Sequence, residues 1–167
     1  PQNPPMPPMA PGWTTATSAA QILDSLSSGT TALLIPPGTT IDLGGMPVAV
    51  PAGQNVTFRG VGATIDGGSA SSLFDVGPGS HLTLNGLTLT GGRATASKGR
   101  RLSESSITGG GAVMVSGGAS AELASCTIHD CSAGEGGAVL ATGSGSVLCV
   151  VGCSISRCSA GADGGGV

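Results

Sequence analysis

Two hydrophobic periods run through this chain. From Ala32 onward, short apolar runs alternate with polar residues and are separated by Gly, Pro, Asn and Asp. The runs are Ala32-Leu33-Leu34-Ile35, Thr40-Ile41-Asp42-Leu43, Val48-Ala49-Val50, Val56-Thr57-Phe58 and Thr64-Ile65-Asp66, then Leu73-Phe74-Asp75-Val76, Leu82-Thr83-Leu84 and Leu87-Thr88-Leu89. Alternate strand side chains share a face, so these runs predict strands with one buried face. Only Thr17 to Leu26 has a helical period, with Ala19, Ile22, Leu23 and Leu26 on one stripe. Thr17 or Ser18 can cap that helix, Gln21 stands three residues after Ser18 as in a capping box, and Ser27-Ser28-Gly29 ends it. Such a helix is a natural lid for an open apolar end. Residues 1–12, PQNPPMPPMAPG, read as an extended polyproline II arm or a disordered tail.

The strands repeat. A shift of 26 lays Val48 on Phe74, Val50 on Val76, Gly53 on Gly79, Val56-Thr57-Phe58 on Leu82-Thr83-Leu84 and Gly60 on Gly86. A further shift of 39 carries Val76 to Val115, Leu82 to Ala121, Leu84 to Leu123 and Leu87-Thr88-Leu89 to Cys126-Thr127-Ile128. That step is 13 longer, and the polar stretch 93–105 can loop out to supply it. Cys126-Thr127-Ile128-x-x-Cys131-Ser132-Ala133-Gly134 then recurs 27 residues on as Cys153-Ser154-Ile155-x-x-Cys158-Ser159-Ala160-Gly161. Short strands repeating at this period describe a solenoid whose units bury their apolar faces only by stacking. The expected fold is all-β, a right-handed parallel β-helix of about 4–5 coils with an N-terminal capping helix. Its parts would be an arm over 1–12, a helical cap over 13–29 and coils over 30–167, open at the C-terminal end near Val167 and continuing into a longer chain.

Composition narrows the alternatives. Gly supplies 31 and Pro 11 of 167 residues, while 9% are charged and 2% aromatic. Low charge excludes a charged disordered tail. Glycine without a three-residue period excludes collagen, and at this density it disfavours helical bundles. No apolar run is long enough for a membrane helix. A net charge of −3 is too small to suggest nucleic acid as a partner. The local basic cluster of Lys98, Arg100 and Arg101 has no aromatics beside it and reads as a polar loop; Arg100-Arg101-Leu102-Ser103 also matches a dibasic processing site.

Five cysteines, Cys126, Cys131, Cys149, Cys153 and Cys158, crowd the C-terminal third at spacings unlike zinc knuckles. Disulfides in an oxidising compartment are the better reading. Ladder neighbours in stacked strands lie within disulfide reach, so Cys126–Cys153 and Cys131–Cys158 can form, as can Cys126–Cys131 and Cys153–Cys158 within a coil. Cys149 aligns with Glu122 at an outward position and is the odd thiol. Asn55-Val56-Thr57 is an N-glycosylation sequon and agrees with secretion.

Residues 18–92, with a capping helix, Asn55-Val56-Thr57-Phe58-Arg59-Gly60 and Thr64-Ile65-Asp66-Gly67-Gly68, resemble the N-terminal part of pectin-lyase-like parallel β-helices. Residues 109–167 resemble polymorphic-outer-membrane-protein repeats through Gly110-Gly111-Ala112-Val113 and Gly136-Gly137-Ala138-Val139, with the second motif altered to Ile128-x-x-Cys131 and Ile155-x-x-Cys158. The cysteine-laced, Ala/Gly/Ser-rich form with a proline-rich arm is similar to large surface proteins of green algae. The resemblance implies a fold more than a function, because β-helices serve as enzymes, adhesins and fibre parts.

Candidate chemistry is sparse. Polysaccharide cleavage needs converging carboxylates, or a calcium site with a basic residue. Asp42 and Asp66, each after Thr-Ile, are the best pair, and the Asn-Thr-Asp, Asp-Asp, Gly-His-Gly and Arg-Ile-Lys motifs of pectin hydrolases are absent. His129-Asp130 invites a triad, but adjacent strand residues face opposite ways and no nucleophile is placed by the spacing. His81, aligned with Asn55 and Ser120, reads as a corner residue. No catalytic, cofactor or metal residue is assigned. The expected role is a non-catalytic extracellular structural module of a larger cell-surface, wall or ciliary-surface protein, whose partners are other chains, further coils or glycans. A carbohydrate-binding or carbohydrate-cleaving domain with its active coils elsewhere is the alternative, and the ectodomain of a membrane receptor or channel complex a third.

Overall fold

A computed structural model describes residues 12–94, 109–161 and 164–166. Nearly all of the proline-rich arm, the basic cluster of Lys98, Arg100 and Arg101 with Leu102 and Ser103, and Val167 lie outside the described residues. Strand β1 (Thr14–Thr15) leads into α1 (Ala19–Ser27), and a first coil follows with β2 (Ala32–Leu34), β3 (Thr40–Asp42) and β4 (Val48–Val50). The second coil holds β5 (Asn55–Asp66) and β6 (Phe74–Val76), the third β7 (His81–Thr90) and β8 (Val113–Ser116). Next come β9 (Ser120–Ala124), β10 (Thr127–His129), β11 (Ser132–Ala133) and β12 (Val139–Thr142), with β13 (Val147–Val151), β14 (Ser154–Ser156) and β15 (Ser159–Ala160) upon them. Every pairing is parallel, and the whole is a β-solenoid of about four turns with a single helix among the described residues.

Three faces result. One stacks β2, the first half of β5, the first half of β7, β9 and β13. A second stacks β3, the rest of β5 and of β7, β10 and β14. The third stacks β4, β6, β8 and β12. The steps expected from the repeats are the steps observed: Val56 pairs with Leu82, Leu82 with Ala121 and Ala121 with Leu148. Arg93 is still in register with Ser132, so the extra residues of the long step fall after it. Inward side chains fill the interior, where Phe58 meets Phe74 edge to face at 5.2 Å between ring centres.

The Gly-Gly-Ala segments pack backbone on backbone. A Cβ on Gly111 would strike the carbonyl oxygen of Gly137 and come within 2.8 Å of Ser132 N. A Cβ on Gly137 would strike Gly165 O in the same way. Glycine is needed there for space rather than for positive φ. The close approach also serves the coil-to-coil bonds Ala112 N–H to Ala138 O at 2.7 Å and Gly137 N–H to Gly164 O at 2.8 Å.

The helix begins at Ser18, whose Oγ accepts from Gln21 N–H, while Gln21 Oε1 reaches back to accept from Thr17 N–H at 2.7 Å. It ends in a Schellman turn, with Gly29 at φ +83° and Thr30 N–H donating to Ser25 O at 2.8 Å. Ile22 and Leu26 enter the core, but Leu23 is 36% exposed and Ser25 takes the remaining buried position. The expected apolar stripe is thus one residue too wide, because a helix laid over a narrow coil end buries only a narrow strip. The coil beneath is sealed: Leu33, Ile35, Ile41, Val48 and Val50 are all buried. At the other end Leu148, Ile155, Cys153 and Cys158 pack on the core while remaining partly exposed.

Candidate functional site

The solenoid turns sequence period into proximity, so the chemistry-bearing residues fall into ladders. Asp42 and Asp66 stand side by side in register, as their shared Thr-Ile context implied. Each spends a carboxylate oxygen locally: Asp42 Oδ1 accepts from Gly44 N–H at 2.8 Å and Asp66 Oδ1 from Gly68 N–H at 2.9 Å. These are repeated Asx turns that shape a corner. The next rungs of that ladder are Thr90 and His129, so no third carboxylate converges on the pair.

The His129-Asp130 pair corrects an expectation. The two side chains do not face opposite ways; His129 Nδ1 lies 2.7 Å from Asp130 Oδ2. The reason is that Asp130 is in a corner at φ +55°, where strand alternation no longer holds. One coil on, Arg157 occupies the equivalent corner at φ +50° and grips Asp130 with two hydrogen bonds, Nε to Oδ1 at 2.6 Å and Nη2 to Oδ2 at 2.7 Å. Hydrogen bonds from Arg157 and His129 hold the Asp130 carboxyl well below the usual carboxylate range. Arg157 rises correspondingly, through its hydrogen bond to Asp130. Thr90 Oγ1 is 3.2 Å from His129 Nδ1, a nitrogen already turned to Asp130, so that threonine is not activated as a nucleophile. The cluster is an exposed clip across two coils. Sequence reasoning overlooked Arg157, although 27 residues, the period of the final repeat, separate it from Asp130.

His81 opens β7 and pairs with Asn55 and Ser120, as aligned. Its Nδ1 is 2.6 Å from Ser120 Oγ and its Nε2 is 3.1 Å from Thr83 Oγ1. A serine beside a histidine resembles an activated nucleophile, and here the far ring nitrogen meets the Thr83 hydroxyl rather than a carboxylate. Asn55 itself is exposed on the outer face.

The cysteines make two ladders at the ends of β10 and β14. Thr127 pairs with Ser154 and Ser132 with Ser159, which sets Cys126 against Cys153 and Cys131 against Cys158. Cys126 and Cys131 are buried, Cys153 and Cys158 half-buried and Cys149 exposed. Burial pushes the Cys126 thiol up to about 11 and the Cys131 thiol up to about 12. Among the described residues no group of three or more His, Cys, Asp or Glu side chains could hold a metal ion. None of their helices is long and apolar enough to cross a membrane. No family model, curated protein or solved structure matches the chain.

Proposed function

We propose that this chain is a non-catalytic, extracellular β-helical module of a larger cell-surface, cell-wall or ciliary-surface protein, of the pectin-lyase-like kind with polymorphic-outer-membrane-protein-type repeats. The observation that carries the reading is the outermost strand of the first face. In the inner coils its outward positions hold Asn55, Thr57 and Arg59, then His81, Thr83 and Asn85, then Ser120, Glu122 and Ala124. In β13 they hold Val147, Cys149 and Val151, and both valines are 57% exposed. A parallel strand apolar on both faces is the pattern of a strand covered on both sides. Its backbone edge, unpaired among the described residues, suits further coils, and its outward valines suit another protein chain laid on that face, while α1 covers the opposite end. The ladders between supply the stiffness of a rod. Paired cysteines and the exposed Asn55 sequon suit an oxidising, glycosylating route out of the cell.

The stacked Asp42 and Asp66 favour a second reading, a carbohydrate-binding or carbohydrate-cleaving domain whose active coils lie outside this segment. Antibodies raised against residues 12–166 should label intact, unpermeabilised source cells, and the purified chain should release neither reducing ends nor unsaturated uronates from pectin or alginate. Labelling only after permeabilisation would overturn the surface role. Sugar release abolished by D66N would overturn the non-catalytic role and place cleavage within this segment, at the Asp42–Asp66 pair.

A further inference from the structure

We infer that Cys126–Cys153 and Cys131–Cys158 are two coil-to-coil disulfide staples that lock the last coil onto the one before, and that Cys149 stays out of both. The inference rests on coil geometry and not on the extracellular reading.

Each pair is flanked on both sides by residues already in register. Ala124 pairs with Val151 and Thr127 with Ser154 around the first pair. His129 pairs with Ser156 and Ser132 with Ser159 around the second. The paired cysteines therefore face each other across one strand spacing, about 4.8 Å, inside the disulfide range of about 4.4–6.8 Å between Cα atoms. Cys153 Sγ already reaches the preceding coil, accepting from Cys126 N–H at 3.3 Å. The coils are clamped by Ser154 N–H to Cys126 O at 2.9 Å and Ser159 N–H to Cys131 O at 3.0 Å. Closing the first bond turns Cys126 Sγ away from Leu84 O, 3.6 Å distant in the thiol form. The alternative pairs within a coil do not fit. Extended Thr127–His129 separates Cys126 from Cys131, and Ser154–Ser156 separates Cys153 from Cys158. Three extended residues span roughly 10 Å, beyond disulfide reach. Cys149 pairs in register with Glu122 and has no cysteine beside it.

The oxidant is a small-molecule disulfide such as oxidised glutathione. The half-exposed thiol of each pair, Cys153 or Cys158, loses its proton and attacks the oxidant's S–S bond, releasing one small thiol and leaving a mixed disulfide. Its buried partner then gives up a proton and displaces the second small thiol. Two protein thiols lose two electrons, and one oxidised glutathione becomes two reduced.

The test oxidises the folded chain in a glutathione buffer, blocks remaining thiols in denaturant, and cleaves after Arg and Glu. Residues 123–135 then carry Cys126 and Cys131, residues 136–157 carry Cys149 and Cys153, and residues 158–167 carry Cys158. The expected product is one disulfide-linked assembly of all three peptides, blocked at Cys149 alone. Residues 123–135 released by themselves, a disulfide at Cys149, or five blocked cysteines would each overturn the inference. Crossed pairing gives the same assembly, and C126S separates the two. It frees residues 136–157 from the stacked pairs but residues 158–167 from crossed ones. C131S gives the mirror result should C126S not fold.

Discussion

Glycine at the coil contacts is a matter of tenths of an ångström. Gly137 faces Gly165 O and Ser159 O with no room for a methyl group, whereas a Cβ on Gly77 would meet nothing closer than Val50 O at 3.6 Å. We predict that Gly137→Ala lowers stability by about 1–3 kcal/mol, the usual result of overpacking. Gly77→Ala should leave it within about 0.5 kcal/mol. Urea midpoints of the two variants check the contrast, and equal midpoints would remove the close-packing argument. The buried thiols make a prediction of their own. Cys126 and Cys131 ionise near 11 and 12 in the folded chain, against an ordinary value of 9.0. Between those limits the unfolded chain sheds protons that the folded chain keeps. Stability of the reduced protein is therefore intact below pH 9 and falls as pH climbs toward 12. The chain has no tyrosine and a single lysine, Lys98. Urea melts under reducing conditions should show the decline, and C126S should lessen it.

At the scale of the element, the helix is defined by its ends as much as by its stripe. Ser18, Gln21 and Gly29 each do what their types promise, and Ser18→Ala should cost about 1 kcal/mol. Thermal denaturation would check this, and an unchanged midpoint would mean that packing of Ile22 and Leu26 alone holds the helix. Helical periodicity puts Leu23 on the inward stripe but it is exposed, because periodicity reports a face without reporting how wide a surface awaits it. His129 and Asp130 show the complementary limit. Strand alternation held through His129 and failed one residue later, at a corner where Asp130 adopts positive φ without being glycine. The equivalent corner is Gly91 one coil earlier and Arg157 one coil later, so the register pointed at the position but not at its conformation.

Over the whole molecule, the two ends differ. The first coil is roofed by α1, and its inward Leu33, Ile35, Ile41, Val48 and Val50 are buried. The last leaves Val147 and Val151 exposed outside and Leu148 and Ile155 partly exposed within. The two ends of the described residues thus differ in exposed apolar surface, and the proposed assembly role draws on that difference. In a stacked solenoid each coil is held mainly by its neighbours. The two inferred staples join the last described coil to its neighbour at both corners of the second face.

What the chain alone determined was the winding. Shifts of 26, 39 and 27 predict which residue lies on which, because a solenoid maps sequence period directly onto strand register, and Val56, Leu82, Ala121 and Leu148 stack accordingly. Only the tertiary structure decided what happens at corners and across faces: the Arg157 grip on Asp130, the contact of His81 with Ser120, and the choice of cysteine partner between coils rather than within one. Those depend on corner dihedrals and on the length of the strand between two corners, which a one-dimensional repeat does not encode.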